Sequence, residues 1–282
     1  MQKRSFESLK HRPTSSEVPV VLTIAGSDSG GGAGIQADLS TFAALRVFGT
    51  CALTCVTAQN PTGVKMVKEI EAEMIEAQLT QVSDYFAIKA LKTGMLFSEK
   101  IIDIVARFIS DRPSIPAVID PVMVASSGAV LLETNAIDAL KNLILPKAAV
   151  ITPNLDEAKV LLGVRPSDTC QMKRAAKTIF KEYGTAVLIK GGHLDTKTLT
   201  DVFFDGQNGM IVLTSKRNPT IDTHGSGCTL AAAITGFLAK GFTIADAVLS
   251  GHAYLKSSIA APLRVDGRDY LNRISIANNA NS

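Results

Sequence analysis

Short apolar runs alternating with stretches of helical period restrict the fold of this chain more than anything else in its sequence. The runs are VPVVLTIAG (18–26), CALTCVTA (51–58), PAVID (116–120), AAVIT (148–152) and TAVLIKGG (185–192). They lack a sustained polar face, so they read as strands covered on both sides. Between them, Ile35, Leu39, Phe42 and Arg46 recur at helical spacing after a glycine-rich loop. Ile101, Ile102, Val105, Phe108 and Ile109 form a second stripe, and Ile137, Leu140, Leu143 and Ile144 a third. Strands alternating with helices predict an α/β fold with a mostly parallel sheet between two helical layers. Further on, DVFFDGQNGMIVLT (201–214) reads as a hairpin, followed by helices at about 227–240 and 243–261. No repeat or linker divides the chain, so residues 18–282 are expected to form one domain. A polar tail, residues 1–17, precedes it and is expected to be disordered.

Composition removes several classes of function. The 282 residues are 46% hydrophobic, enough for a sizeable core. A net charge of +3 with scattered Lys and Arg calls for neither nucleic acid nor an acidic membrane. There is no secretory-type start and no apolar run approaching ~18 residues, so a cytosolic, reduced protein is expected. Cys51, Cys55, Cys170 and Cys228 have no metal-like spacing. Cys51 and Cys55 are expected on one strand face as small buried groups.

In a parallel sheet, ligands sit beyond the carboxyl ends of the strands. The loops there are GSDSGGGAG, TAQNPTG, KTGM, DPVMVASSG, TPNLDEA, KGGH and DTHGSGCT. The first contains Asp28-Ser29-Gly30-Gly31, as serine proteases do around the nucleophile, but only His11 precedes Ser29, and the protease reading fails on chain order. A P-loop needs Lys and then Ser or Thr after its second glycine, whereas Gly32 and Ala33 follow Gly31. Gly32, Gly34 and Ala37 satisfy GxGxxA, yet the next carboxylate after Asp38 is Glu69, too late for a dinucleotide site. The loop DTHGSGCT is more informative. Gly225, Ser226, Gly227 and Cys228 run straight into a helix marked by Leu230, Ile234, Phe237 and Leu238. Backbone N–H groups bared at a helix start bind anions and can stabilise charge on a transferring phosphoryl group.

The ordered set TIAGSDSGGGAGIQAD, VTAQN, KTGM, VIDPVMV, ITPNLDEA, IKGGH and THGSGCT resembles the hydroxymethylpyrimidine/phosphomethylpyrimidine kinases, the thiamine-pathway branch of the ribokinase-like superfamily, over residues 18 to about 260. The resemblance implies a three-layer α/β/α ribokinase-like fold, a homodimer, ATP with Mg²⁺, and phosphorylation of 4-amino-5-hydroxymethyl-2-methylpyrimidine and then of its monophosphate. A carboxamide such as that of Gln59 can answer both the amine and the ring nitrogen of an aminopyrimidine; alternatively it ties down its own loop. The resemblance places Gly26, Asp38, Met95 and Val122 at the substrate, although Asp38 also suits a first-turn carboxylate. Asn154, Lys190, Gly192 and Thr223 fall to the nucleotide, and Glu157 and Asp120 to the metal. Cys228 stands where related sugar kinases carry an aspartate base. A helix start can lower a thiol's pKa enough for a thiolate base, whereas a loose phosphoryl transfer needs none. Asp222 and Ser226 depart from the Asn and Thr common in the family, and the ending RVDGRDYLNRISIANNANS is unlike that of many relatives, so residues past about 262 carry no assignment. Two other readings stay open: a pyridoxal or pyridoxine kinase, and a non-catalytic pyrimidine sensor.

Overall fold

The computed structural model describes residues 17–123, 132, 135–192 and 198–274. The tail 1–16, residues 124–128 of the DPVMVASSG loop and His193 of KGGH lie outside them. In chain order the elements are β1 (Val20–Asp28), α1 (Gly34–Ala44), β2 (Phe48–Asn60), β3 (Gly63–Glu69), α2 (Ala72–Tyr85), β4 (Ile88–Thr93), α3 (Glu99–Ser110), β5 (Ala117–Ile119), α4 (Ala136–Ala139), β6 (Val150–Ile151), α5 (Leu155–Leu162), α6 (Thr169–Tyr183), β7 (Ala186–Ile189), β8 (Thr198–Phe204), β9 (Met210–Lys216), β10 (Ile221–Asp222), α7 (Ser226–Ala239), α8 (Ile244–Ala260), β11 (Leu263–Val265) and β12 (Arg268–Tyr270). The sequence reading had not placed β3, α2, β4, α5, α6 or the last two strands.

Nine strands form one sheet in the order β3-β2-β1-β4-β5-β6-β7-β8-β9. The six central strands pair in parallel, while β3, β8 and β9 are antiparallel additions at the edges. Alternate residues of the central strands enter different cores. Ile119, Ile151, Val187 and Ile189 pack under α2 to α6, whereas Val118, Val150 and Leu188 pack under α1, α7 and α8. Burial on both faces removes any polar period, which is why these strands read as continuous apolar runs. Cys55 joins the interior, but Cys51, expected beside it, is only half-buried.

Local chemistry sets the helix ends that matter. Asn154 caps α5, its Oδ1 accepting the N–H groups of Asp156 (2.8 Å) and Glu157 (2.9 Å), while Glu157 Oε2 accepts that of Asn154 (2.7 Å). Gly225 precedes α7 with φ +77°, a left-handed conformation that favours glycine. The third helical stripe from the sequence is irregular: α4 passes into a wider turn at Leu140–Ile144.

The C-terminal residues left unassigned by sequence form a small sheet, β10-β12-β11. Its strand β10 leads directly into the loop before α7. From its end Arg273 reaches back, donating to Gly32 O and through Nε to Thr229 Oγ1 (2.9 Å). This strap therefore joins the first glycine loop to α7. Among the described residues, no helix is long and apolar enough to cross a membrane.

Candidate functional site

The sheet order fixes where a site can form. From β1 the chain moves to β2 on one side and later returns to place β4 on the other, so the crevice beyond β1 and β4 is a topological switch point. Ala25 to Asp28 at the end of β1, Gly94 and Met95 after β4, and Asp120 and Val122 after β5 line a cleft there. Gln59, His224 and the start of α7 complete it.

The first glycine loop is built around its own carboxylate. Asp28 accepts the N–H groups of Gly30 (2.8 Å), Gly32 (3.1 Å) and Ala33 (2.8 Å), and its Oδ2 lies 3.0 Å from His224 Nε2. Burial pushes Asp28 up, but the bonds from His224 and the loop amides outweigh it and hold the carboxyl below the usual range. Ser29 Oγ donates to Gln59 O (2.7 Å) and accepts from Gln59 N (2.8 Å). The loop thus clamps the backbone of Gln59 at the cleft mouth. Gly34 (φ +57°) permits the closure, because a Cβ there would stand 2.4 Å from Gly26 O.

Gly26, Met95 and Val122 line the cleft as expected from the sequence, and Met95 packs with Cys55 and Val122. Asp38 does not. It is fully buried one layer below, where Lys92 Nζ meets both carboxylate oxygens at 3.0 Å and Thr23 Oγ1 donates at 2.6 Å. Lying on the inward face of α1, it is turned into the core instead of toward a ligand. Its partner Lys92, buried but flanked by Asp38 and Asp120, is held charged above its usual range.

At the other end of the cleft, charges gather under α7. Lys190 Nζ donates to Asp120 Oδ1 (2.7 Å) and stands 4.0 Å from Glu157 Oε2. A Cβ on Gly227 would lie 3.2 Å from Lys190 Nζ and 3.7 Å from Asp120 Oδ2, so glycine brings the helix backbone against this cluster. Burial raises Asp120, yet Lys190 and Lys92 prevail and hold it low. Glu157 behaves differently: burial pushes it up to about 7, with Lys190 pulling against that and Asp120 adding to it. Asn154 lines the same cleft while its side chain caps α5.

Gly225, Ser226, Gly227 and Cys228 come together at the head of the cleft. The Ser226 N–H is taken by Thr223 O at 3.0 Å. The N–H groups of Gly227 and Cys228 follow in the first turn, where a helix offers no internal acceptor. Burial pushes the Cys228 thiol up to about 11, with Lys92 only partly opposing. That direction favours the thiol over the thiolate-base option, because burial disfavours the charged form.

A second cavity opens behind the first, lined by Thr223, Asp201, Arg217, His252 and Lys256 among others, and shares Lys190, Gly192, Ser226 and Gly227 with it. The start of α7 is therefore common to two adjoining spaces.

Sequence reasoning missed His224, Ser29, Lys92 and Arg273. His224 sits inside a quoted loop, but its partner Asp28 is 196 positions away, a separation no local pattern reveals. Its N–H is fixed by Asp222 Oδ1 (2.8 Å), a bond that the more common asparagine would also make.

A family model described as phosphomethylpyrimidine kinase matches residues 28–271. A hydroxymethylpyrimidine/phosphomethylpyrimidine kinase of Rhizobium meliloti (strain 1021) is 46% identical over 248 residues, covering 88% of this chain and 92% of the relative. Among solved structures, an ADP complex of Bacillus subtilis pyridoxal kinase superposes with a TM-score of 0.85 at 36% identity, covering 93% of this chain and 100% of that one. The phosphomethylpyrimidine kinase of Clostridium difficile 630 superposes with a TM-score of 0.75 at 38% identity, covering 86% and 99%.

Proposed function

The chain belongs to the phosphomethylpyrimidine kinase family, and from that premise we propose that it transfers the γ-phosphoryl group of ATP to 4-amino-5-hydroxymethyl-2-methylpyrimidine and then a second one to the monophosphate, the kinase steps of thiamine biosynthesis. The observation that carries this reading is the pair of cavities meeting at the start of α7. The pyrimidine occupies the first, between Met95 and Val122 with Gln59 at its edge and Gly26 beneath. The nucleotide occupies the second, its phosphates passing Gly192, Thr223 and Asn154 to reach Lys190. In the transfer, the substrate hydroxyl oxygen attacks the γ-phosphorus as the bond from phosphorus to the ADP oxygen breaks, and the hydroxyl proton passes to a phosphate oxygen or water; in the second transfer a monophosphate oxygen attacks in the same way. Charge spread over the phosphoryl oxygens meets the N–H groups of Gly227 and Cys228 and the Lys190 ammonium. Residues 18–282 work as one kinase domain in this reading, and as a homodimer whose contact the exposed Phe48, Met66, Met74 and Tyr85 would supply; sedimentation of the purified chain reads its mass.

Glu157 and Asp120 are the residues that would hold Mg²⁺. Among the described residues, no group of three or more His, Cys, Asp or Glu could cage a metal alone. Two carboxylates facing a phosphate path instead suit magnesium, which keeps waters and shares phosphate oxygens. When bound, it would neutralise charge on the phosphates.

Burial pushes Glu157 up to about 7, and a carboxyl must lose its proton to take a metal. Affinity for Mg·ATP is therefore expected to rise about tenfold per pH unit below 7 and to level off above it. Calorimetry in buffers of different ionisation enthalpy should show close to one proton released at pH 6 and little at pH 8.5; pH-independent binding would remove Glu157 from the metal. Cys228→Ala is expected to slow turnover by less than the ~100-fold typical of losing a general base and to leave nucleotide affinity intact. A larger loss that erases one limb of the pH–rate profile would restore Cys228 as the base.

Mass spectrometry of products from Mg·ATP with the pyrimidine, and in parallel with pyridoxal, tests the function. Monophosphate followed by diphosphate from the pyrimidine is expected. Phosphorylated pyridoxal alone would favour the second reading, to which the likeness to the Bacillus subtilis enzyme gives weight. Ligand binding without ATP consumption would indicate a sensor.

A further inference from the structure

The hydrogen-bond pattern at the cleft mouth allows the Gln59 carboxamide only one direction. Gln59 Nε2 lies 3.1 Å from His224 Nε2, which is 3.0 Å from Asp28 Oδ2. Gln59 Oε1 lies 3.3 Å from Thr57 Oγ1. A carboxylate accepts only, so the ring nitrogen facing Asp28 must carry a proton, whether or not Nδ1 carries one as well. That nitrogen cannot also accept from an amide NH₂. At the far end the Thr57 hydroxyl has one proton, directed to the nearer Ser27 O at 2.9 Å, so an amide oxygen at 3.3 Å is poorly served.

A half-turn of the carboxamide about its last bond resolves both conflicts with the same atom positions. The amide oxygen then shares the single His224 Nε2–H with Asp28 Oδ2 in a three-centre bond, and the amide nitrogen donates to Thr57 Oγ1. We propose that Asp28 and His224 lock the Gln59 carboxamide with its oxygen toward His224 and its nitrogen toward Thr57, making His224 a specificity-determining residue through its hold on Gln59. The backbone of Gln59 is already pinned by Ser29, so the side chain cannot escape by shifting the strand.

The lock matters because a carboxamide that turns freely can read two opposite edges. With oxygen and nitrogen in fixed places it accepts from a ring amine and donates to the adjacent ring nitrogen, the pattern of a 4-aminopyrimidine. The 4-oxo analogue presents the reverse, an acceptor oxygen beside a ring N–H, and meets acceptor with acceptor and donor with donor. Fixed donors and acceptors reject such a mismatch strongly, since polar groups are left buried and unpaired. This inference rests on the kinase reading above and adds what enforces its choice of pyrimidine.

The test compares kcat/KM of the full chain with Mg·ATP on 5-hydroxymethyl-2-methylpyrimidine carrying either a 4-amino or a 4-oxo group. The unaltered protein is expected to favour the amine by about a hundredfold. His224→Leu and His224→Phe, neither of which has a side-chain proton to offer Gln59, are expected to cut that preference by about tenfold, mostly through KM. An unchanged preference in either active variant overturns the proposal. Long-range ¹H–¹⁵N spectra of the unaltered protein give a readout free of activity: His224 must carry its proton on Nε2, and a bare Nε2 with Nδ1–H overturns the lock regardless of the variants. If the unaltered protein phosphorylates neither pyrimidine, the kinase reading fails, while the spectra still decide the lock.

Discussion

Lys92→Met is expected to lower folding stability by about 3–5 kcal/mol. Both members of the Lys92–Asp38 pair are fully buried, and removing the lysine strands a carboxylate where water cannot reach it. The loss should depend on pH with a defined sign. Burial already holds Asp38 above its unfolded value, and losing Lys92 raises it further, so the variant loses more stability than the unaltered protein as pH rises above about 4. Urea unfolding is therefore expected to show a smaller deficit at pH 5 than at pH 8. Asp38→Asn combined with Lys92→Met should recover most of the loss, because a buried pair replaced as a whole often has little net effect. Were the double variant as unstable as the single one, Lys92 would matter for its packing, and the charge argument would fall.

Gly225→Ala is expected to reduce kcat by about 100- to 1,000-fold, the range for spoiling an anion hole. A Cβ at Gly225 would stand 1.8 Å from Gly32 O, so alanine forces apart the two glycine loops that Arg273 ties together from behind. Gly241→Ala is the control. Gly241, at the other end of α7, has φ +85° with nothing within 4 Å of its Cβ position. It should show only the strain of a left-handed alanine, about 1–2 kcal/mol, with kcat unchanged. Equal turnover in the two variants would mean that contact between the loops plays no part in catalysis.

The depth at which residues sit was harder to read than their order. Gln59 was found because a carboxamide at a strand end has a chemical use that can be named. Asp38 was misplaced because its position on α1 is compatible with either side of the helix, and only the approach of Lys92 from β4 shows which side is buried. For Cys228 the sequence left a thiolate base and no base both open; the burial that pushes its thiol up comes from neighbours remote in sequence. The edge strand β3 and the helix α2 were overlooked; β3 is half solvated and has a weak apolar pattern. The C-terminal strap had no legible purpose until Arg273 was seen against Gly32.

By itself the sequence determined the architecture and the identity of the loops around the site, because burial on both faces of a parallel strand and glycine at a helix start are local requirements that residue types must meet. Tertiary structure alone decided which of those residues line the cleft and which are buried beneath it. Those properties depend on distance and desolvation between groups such as Asp28 and His224, or Asp38 and Lys92, which only the folded chain brings together.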